Sequence, residues 1–328
     1  MLARLNDSER FSGREPAQPD LTPGQSKGWI LDIEGQVMGK QRRRTESGIT
    51  LVGPGRVGQA MGRLLHEAGL PVRYVAARRM ASARRAVRFI GAGTPIALSD
   101  PRVIDAEVLL LTTSDMAIAE VAGALAERWS ARSIWAGKVV LHTCGSMPSS
   151  ILQPLKQRGA AIGSVHPYQT VPSPAAGVRN LRSCYWGVEG DAAALKVAQS
   201  WVRKLGGISF RIRPAQKALY HLSAFLVCPT EVTLMEHARR LLKRAGVPDS
   251  IARPMLAQFV SETVKNFAEF GARRSLTGPA SRGDWPTIER HMALLRRTAP
   301  DLLPLYRELL RAMVWLARRR APQSLFED

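Results

Sequence analysis

The chain has 328 residues, enough for two domains of ordinary size, and 45% of them are hydrophobic, which supports a packed core over most of its length. Its formal net charge is +20, yet no helix-turn-helix, zinc-finger or aromatic-rich RNA-reading motif accompanies the scattered arginines, so specific nucleic-acid binding is not expected. The three cysteines, Cys144, Cys184 and Cys228, are too few and too widely spaced for a disulfide framework or a cysteine-based zinc site, and they suit a reducing, cytoplasmic setting.

Residues 1–46 carry Gly, Pro, Ser and charges without apolar periodicity and close on Gln41-Arg42-Arg43-Arg44. They read as a disordered tail, without the continuous apolar stretch of a secretory signal. Met38 is an alternative start. From 47 to 213 strand and helix patterns alternate. Short apolar runs at 49–52, 72–76, 108–112, 139–142, 161–165, 185–188 and 208–212 read as strands, with a weaker one at 95–98. Helical spacing follows most of them. That alternation predicts an α/β Rossmann domain with a mostly parallel, doubly wound sheet. Residues 214–328 read as a smaller all-helical domain, in which 216–245 is one long helix or a pair broken near Pro229. No apolar stretch of about 18 residues stands out, so no membrane span is expected.

The strongest motif is Gly53-Pro54-Gly55-Arg56-Val57-Gly58, which follows a strand and opens an amphipathic helix. This is the dinucleotide loop pattern in its proper context. Gly53 allows the tight turn, Gly55 lets a diphosphate approach the backbone, and Gly58 lets helix and strand pack closely. The helix N-terminus then offers unpaired N–H groups to the phosphates.

The end of the second strand selects the cofactor. An NAD site places a carboxylate there for the ribose 2′-hydroxyl. This chain has Ala77-Arg78-Arg79 instead, and a guanidinium matches a phosphate. NADP(H) is therefore expected, with Arg78 the leading contact and Arg79 the second. Thr112, Thr113, Ser114 and Thr143 end two further strands and are expected to border the cofactor. No spacing of His, Asp or Glu suggests a metal site.

The same motifs, with His166-Pro167-Tyr168-Gln169-Thr170, Lys217-Ala218-Leu219-Tyr220-His221 and the segment from Leu276 to Asp284, carry a family likeness over residues 48–295. The chain resembles the Rossmann-like proteins that carry the domain of unknown function 2520, a group similar to pyrroline-5-carboxylate reductase and more remotely to 6-phosphogluconate dehydrogenase. The resemblance implies a helical C-terminal domain that often forms dimers, and an active site between the domains. It also implies a substrate role for Thr277, Gly278, Arg282 and Asp284, although Asp284 equally suits a helix N-cap. The stretch Leu222 to Pro229 is bulkier than that pattern, so the pocket shape differs.

Hydride transfer to C=O or C=N needs a positioned acid. Lys217 and His221 stand four residues apart on one helix face just after the domain linker, and His166 sits at a strand end held extended by Pro167. These three are the catalytic candidates. The expected activity is an NADP-dependent reductase or dehydrogenase acting on a small carbonyl or imine compound, working as a homodimer. The alternatives are a non-catalytic NADP-binding regulatory module and a basic nucleic-acid-binding protein.

Overall fold

The computed structural model describes residues 48–326. The expected tail, 1–46, lies outside the described residues.

The strands are β1 (Ile49–Val52), β2 (Val72–Ala77), β3 (Thr94–Ala97), β4 (Val108–Leu111), β5 (Val139–His142), β6 (Ala161–Pro167), β7 (Tyr185–Gly190) and β8 (Ile208–Arg211). They form one sheet in the order β3-β2-β1-β4-β5-β6-β7-β8. The first six run parallel. The helices between them are α1 (Arg56–Glu67), α2 (Met80–Ile90), α3 (Asp115–Arg128), α4 (Arg132–Trp135), α5 (Gln153–Gln157), α6 (Pro174–Asn180) and α7 (Ala192–Lys204).

The unbroken apolar runs follow from burial on both sides of the sheet. Leu51, Leu110 and Leu141 join one core with Met61, Leu64, Leu65 and Trp201, while Val52, Leu109, Leu111 and Val140 join the other with Ile118, Leu125 and Trp135. The direction of β7 has no such signal. It pairs antiparallel with β6, and β8 runs parallel to β7. The connecting helix α6 packs on α1 rather than crossing the sheet, and Gly177 makes that contact close: a Cβ there would stand 2.7 Å from the Ala60 Cβ.

After Arg213 the chain is helical, with α8 (Lys217–Val227), α9 (Pro229–Arg244), α10 (Asp249–Ser275), α11 (Pro279–Arg282), α12 (Trp285–Thr298) and α13 (Leu303–Ala317). Pro229 opens α9 at a position where its missing N–H costs nothing, so the 216–245 run is a pair of helices. Gly271, with φ +71°, breaks α10 near its end. Ala280, Ile288, Met292, Leu310 and Leu325 form a small core of their own.

Much of this helical region is apolar and uncovered. Leu222, Phe225, Leu226, Val227 and Val232 on α8 and α9 are exposed, as are Phe259, Val264, Phe267 and Phe270 on α10. The expected absence of an apolar run of membrane length does not hold. The run Pro214–Arg244 is long and apolar enough to cross a membrane by length and composition, and its apolar window is unburied. Pro229 interrupts the apolar pattern in the sequence, whereas Cys228 keeps helical geometry across the junction.

Candidate active site

The glycine loop joins β1 to α1, and its backbone is held from both sides. The Gly53 N–H donates to the Ala76 carbonyl at 2.9 Å, and the Thr112 hydroxyl donates to the Gly53 carbonyl at 2.9 Å. Gly53 has φ +72°, and a Cβ there would meet Thr113 Cγ2 at 2.2 Å; a Cβ on Gly58 would meet Thr112 Oγ1 at 2.1 Å. Only glycine fits either position. Gly55 is different, since a Cβ there would meet just the Thr112 carbonyl oxygen, at 3.4 Å. That open side leaves room for a diphosphate at the N-terminus of α1. The helix start carries no side-chain cap and no acidic residue in its first turn, so its N–H groups keep their donor capacity. The exposed Arg56 guanidinium reaches the Pro172 carbonyl at 3.2 Å and flanks the loop.

Beside the loop lies a cavity of about 260 Å³ lined by Gly53, Ala77, Arg78, Thr113, Ser114 and Glu120 among others. Thr113 Oγ1 is buried and makes no hydrogen bond within the described residues. Arg78 and Arg79 are exposed at the end of β2, with Arg79 as the N-cap of α2. Thr112 is a loop support, because it is buried with its hydroxyl committed to Gly53. The open Gly55, the uncapped helix and the orphan Thr113 hydroxyl fit the diphosphate of a nicotinamide dinucleotide, with the exposed Arg78 and Arg79 alongside. Glu120, on the third helix, is a carboxylate of this cavity that the sequence reading missed.

A second group of side chains gathers at the ends of β5 and β6, under α8. In register, Ser164 on β6 faces Glu189 on β7. Lys217, the first residue of α8, descends on this pair and is 1% exposed. Its Nζ donates to the Cys144 carbonyl at 2.9 Å and to Ser164 Oγ at 2.5 Å, and stands 3.7 Å from Glu189 Oε1. The Glu189 carboxylate also accepts from the Ser149 N–H at 2.6 Å and the Ser149 hydroxyl at 2.7 Å. Burial pushes the Lys217 ammonium below its usual range, opposed chiefly by Glu189. This lysine is a tether that fixes α8 to β6, β7 and the loop after β5, and it does not line the histidine cavity.

His166 and His221 do face it. The His166 ring lies 6.2 Å from the His221 ring, and a Cβ on Gly145 would meet His166 Nε2 at 2.6 Å and His221 Cδ2 at 2.8 Å. Gly145 thus sits between two imidazoles. Both histidines line a cavity of about 490 Å³, together with Tyr168, Phe225, Cys228 and Val232. Burial, and secondarily the Lys217 charge, push His166 down to about 3, so the ring is neutral at pH 7. The Tyr220 hydroxyl stands 2.8 Å from His166 Nδ1.

Two strand-end residues are structural. His142 is fully buried, and its Nδ1 accepts the Cys144 N–H at 3.1 Å. Burial raises the Cys144 thiol above its ordinary value, which disfavours the thiolate that a nucleophile needs. Thr143 is half-buried beside them. Thr277, Gly278, Arg282 and Asp284 lie elsewhere. Their segment packs through α11 on α12 and α13, and they do not line the histidine cavity of their own chain. Asp284 caps α12, accepting from the Thr287 N–H at 3.2 Å. Among the described residues, no group of three or more metal-ligating side chains comes together.

Tyr220, Glu189, Ser149, Ser164 and Gly145 were missing from the sequence candidates. Tyr220 had a signal, since it lies three residues after Lys217 on the same helix face. Glu189, a lone carboxylate in an apolar strand, had a weaker one.

A glycine loop between a first parallel strand and a helix, in a sheet of this order, defines a Rossmann-type dinucleotide-binding fold, here with a helical C-terminal region. Residues 34–167 match a Rossmann-like domain, and residues 184–313 match DUF2520, a domain of unknown function. The chain thus joins a Rossmann-like domain to a DUF2520 domain, and the latter match takes in the last two strands of the sheet. No curated protein matches it in sequence. Similar solved structures include protein TM1727 from Thermotoga maritima, 22% identical with a TM-score of 0.62 over 82% of this chain and 98% of that one. Another is a Bacteroides fragilis protein whose name proposes an NADP oxidoreductase, 22% identical with a TM-score of 0.65 and the same coverage. A third is a reductive aminase from Aspergillus terreus, solved with NADPH4, cyclohexanone and allyl amine. It is 18% identical, with a TM-score of 0.57 over 86% of this chain and 98% of that one.

Proposed function

We propose that this protein is an NADP-dependent oxidoreductase that moves a hydride between the nicotinamide and a small carbonyl or imine compound. One observation carries the reading: the glycine loop and its arginine rim share the carboxyl edge of the sheet with the paired histidines of the 490 Å³ cavity. The resemblance in fold to named reductases supports the same class.

The amides opening α1 bind the diphosphate, and Arg78, then Arg79, bind the 2′-phosphate. Thr113, Ser114 and Thr143 border the cofactor. The reduced nicotinamide, when bound, supplies the hydride. His221 lines the cavity on the helix that Lys217 tethers, and an imidazole can hand a proton to a heteroatom. It is the proposed acid for the substrate heteroatom, while His166 orients that atom.

The protein works as a homodimer in the cytoplasm, and free cysteines accord with that compartment. The apolar side chains of α8 and α10 are uncovered within one chain, and a second copy covers them. The segment holding Arg282 does not reach the cavity of its own chain, so a substrate role for it requires that second copy.

The test is NADPH oxidation by the purified protein across a panel of small ketones, aldehydes and cyclic imines. Turnover is expected, and His221→Ala is expected to lower kcat about 100-fold with NADPH affinity unchanged. Retained binding with no turnover on any substrate would favour a regulatory module instead.

A further inference from the structure

We infer that Tyr220 is a positioning residue that locks His166 in its Nε2–H tautomer, so that His166 offers the substrate heteroatom a neutral hydrogen-bond donor and leaves proton delivery to another group. This rests on the proposed oxidoreductase reading for its chemical meaning, though the tautomer itself does not.

A phenol has one proton to donate. Its oxygen lies 2.8 Å from His166 Nδ1 and 3.5 Å from the His166 carbonyl oxygen. The second distance is too long to compete. The phenol proton therefore goes to Nδ1, and in a neutral imidazole the remaining proton must sit on Nε2. Nε2 is the ring atom beside Gly145, on a ring that lines the cavity.

The surroundings keep the ring neutral. His221 and Lys217 from α8 and His142 from β5 are the cationic or titratable groups whose charges act with it, Tyr220 sits at its Nδ1, and Tyr168 and the Glu231 carboxylate of α9 line the same cavity. Burial raises the Tyr220 phenol above its ordinary range, so it stays protonated as a donor. An N–H donor that carries no charge can hold a carbonyl or imine atom without competing for the proton that atom must receive.

The test uses the full chain labelled with ¹⁵N-histidine and read by long-range ¹H–¹⁵N NMR, first without nucleotide. The His166 signals, assigned by their loss in His166→Gln, are expected to show a protonated Nε2 and an unprotonated Nδ1 from pH 5.5 to 8.5. In Tyr220→Phe the pattern should move toward a mixture of tautomers. In turnover assays the same variant should lose about tenfold in kcat, the effect of one hydrogen bond, with KM for NADPH unchanged. A wild-type Nδ1–H tautomer, or a His166 that titrates inside that range, would overturn the inference whether or not the variant folds. Failure to bind pyridine nucleotide would sink the proposed function and leave this spectrum unaffected.

Discussion

At Gly145 a single methyl group decides whether the site exists. The residue has no need of unusual backbone angles; its requirement is space between His166 Nε2 and His221 Cδ2. Gly145→Ala is expected to push the imidazoles apart and lower kcat at least tenfold, while the melting temperature stays close to wild type because both rings border a cavity. Lys217 behaves in the opposite way. Removing it leaves the buried Glu189 carboxylate without its cation, and Lys217→Met should destabilise the fold by about 3–5 kcal/mol in urea titration. A loss below about 1 kcal/mol would show that the tether is dispensable.

The histidines also set the response to acid. His142 and His166 are both held down to about 3, by burial first and then by the Lys217 charge. An unfolded chain binds their protons below about pH 6.5 and the folded one does not, so stability is full above that value and falls as the pH drops toward 3. From pH 7 to pH 5 each histidine should cost about 2 kcal/mol. His142→Asn is expected to flatten that dependence by about half in denaturant titrations at the two pH values. An unchanged slope would contradict the neutral, buried state of this ring.

At the scale of elements, legibility followed the strength of local patterns. The glycine loop, α1 and the strands buried on both faces were plain, because close packing and double burial leave unbroken signatures at Gly53, Gly58, 108–111 and 139–142. The reversal of β7 was not, since strand direction depends on where α6 docks, and that contact rests on the size of Gly177 against Ala60. Whether α8 runs on into α9 was left open in the same way. Pro229 reads as a break in sequence, yet as the first residue of a helix it needs no N–H. Site residues divided the same way. His166 and His221 showed themselves by motif, whereas the role of Lys217 changed because Ser164, Glu189 and the Cys144 carbonyl converge on it from elements far apart in the chain. Arg282 and Asp284 were drawn to the site by resemblance and lie away from it within one chain.

For the whole molecule, charge and apolar surface pull in different directions. The net charge of +20 favours weak, salt-sensitive attachment to polyanions and resists self-association at low salt. The exposed faces of α8 and α10 favour it. Sedimentation at physiological salt should therefore give a dimer, and Phe259→Glu with Phe267→Glu should release monomers. A wild-type monomer across the micromolar range would contradict the covered-face account.

The most direct test of the central claim is a titration of the purified protein with NADPH and with NADH, followed by nicotinamide fluorescence. Tight NADPH binding, with NADH weaker by roughly 10- to 100-fold and the difference erased by Arg78→Ala, is the expected result. Binding of neither nucleotide at saturating concentration, with the melting temperature unmoved, would contradict the account.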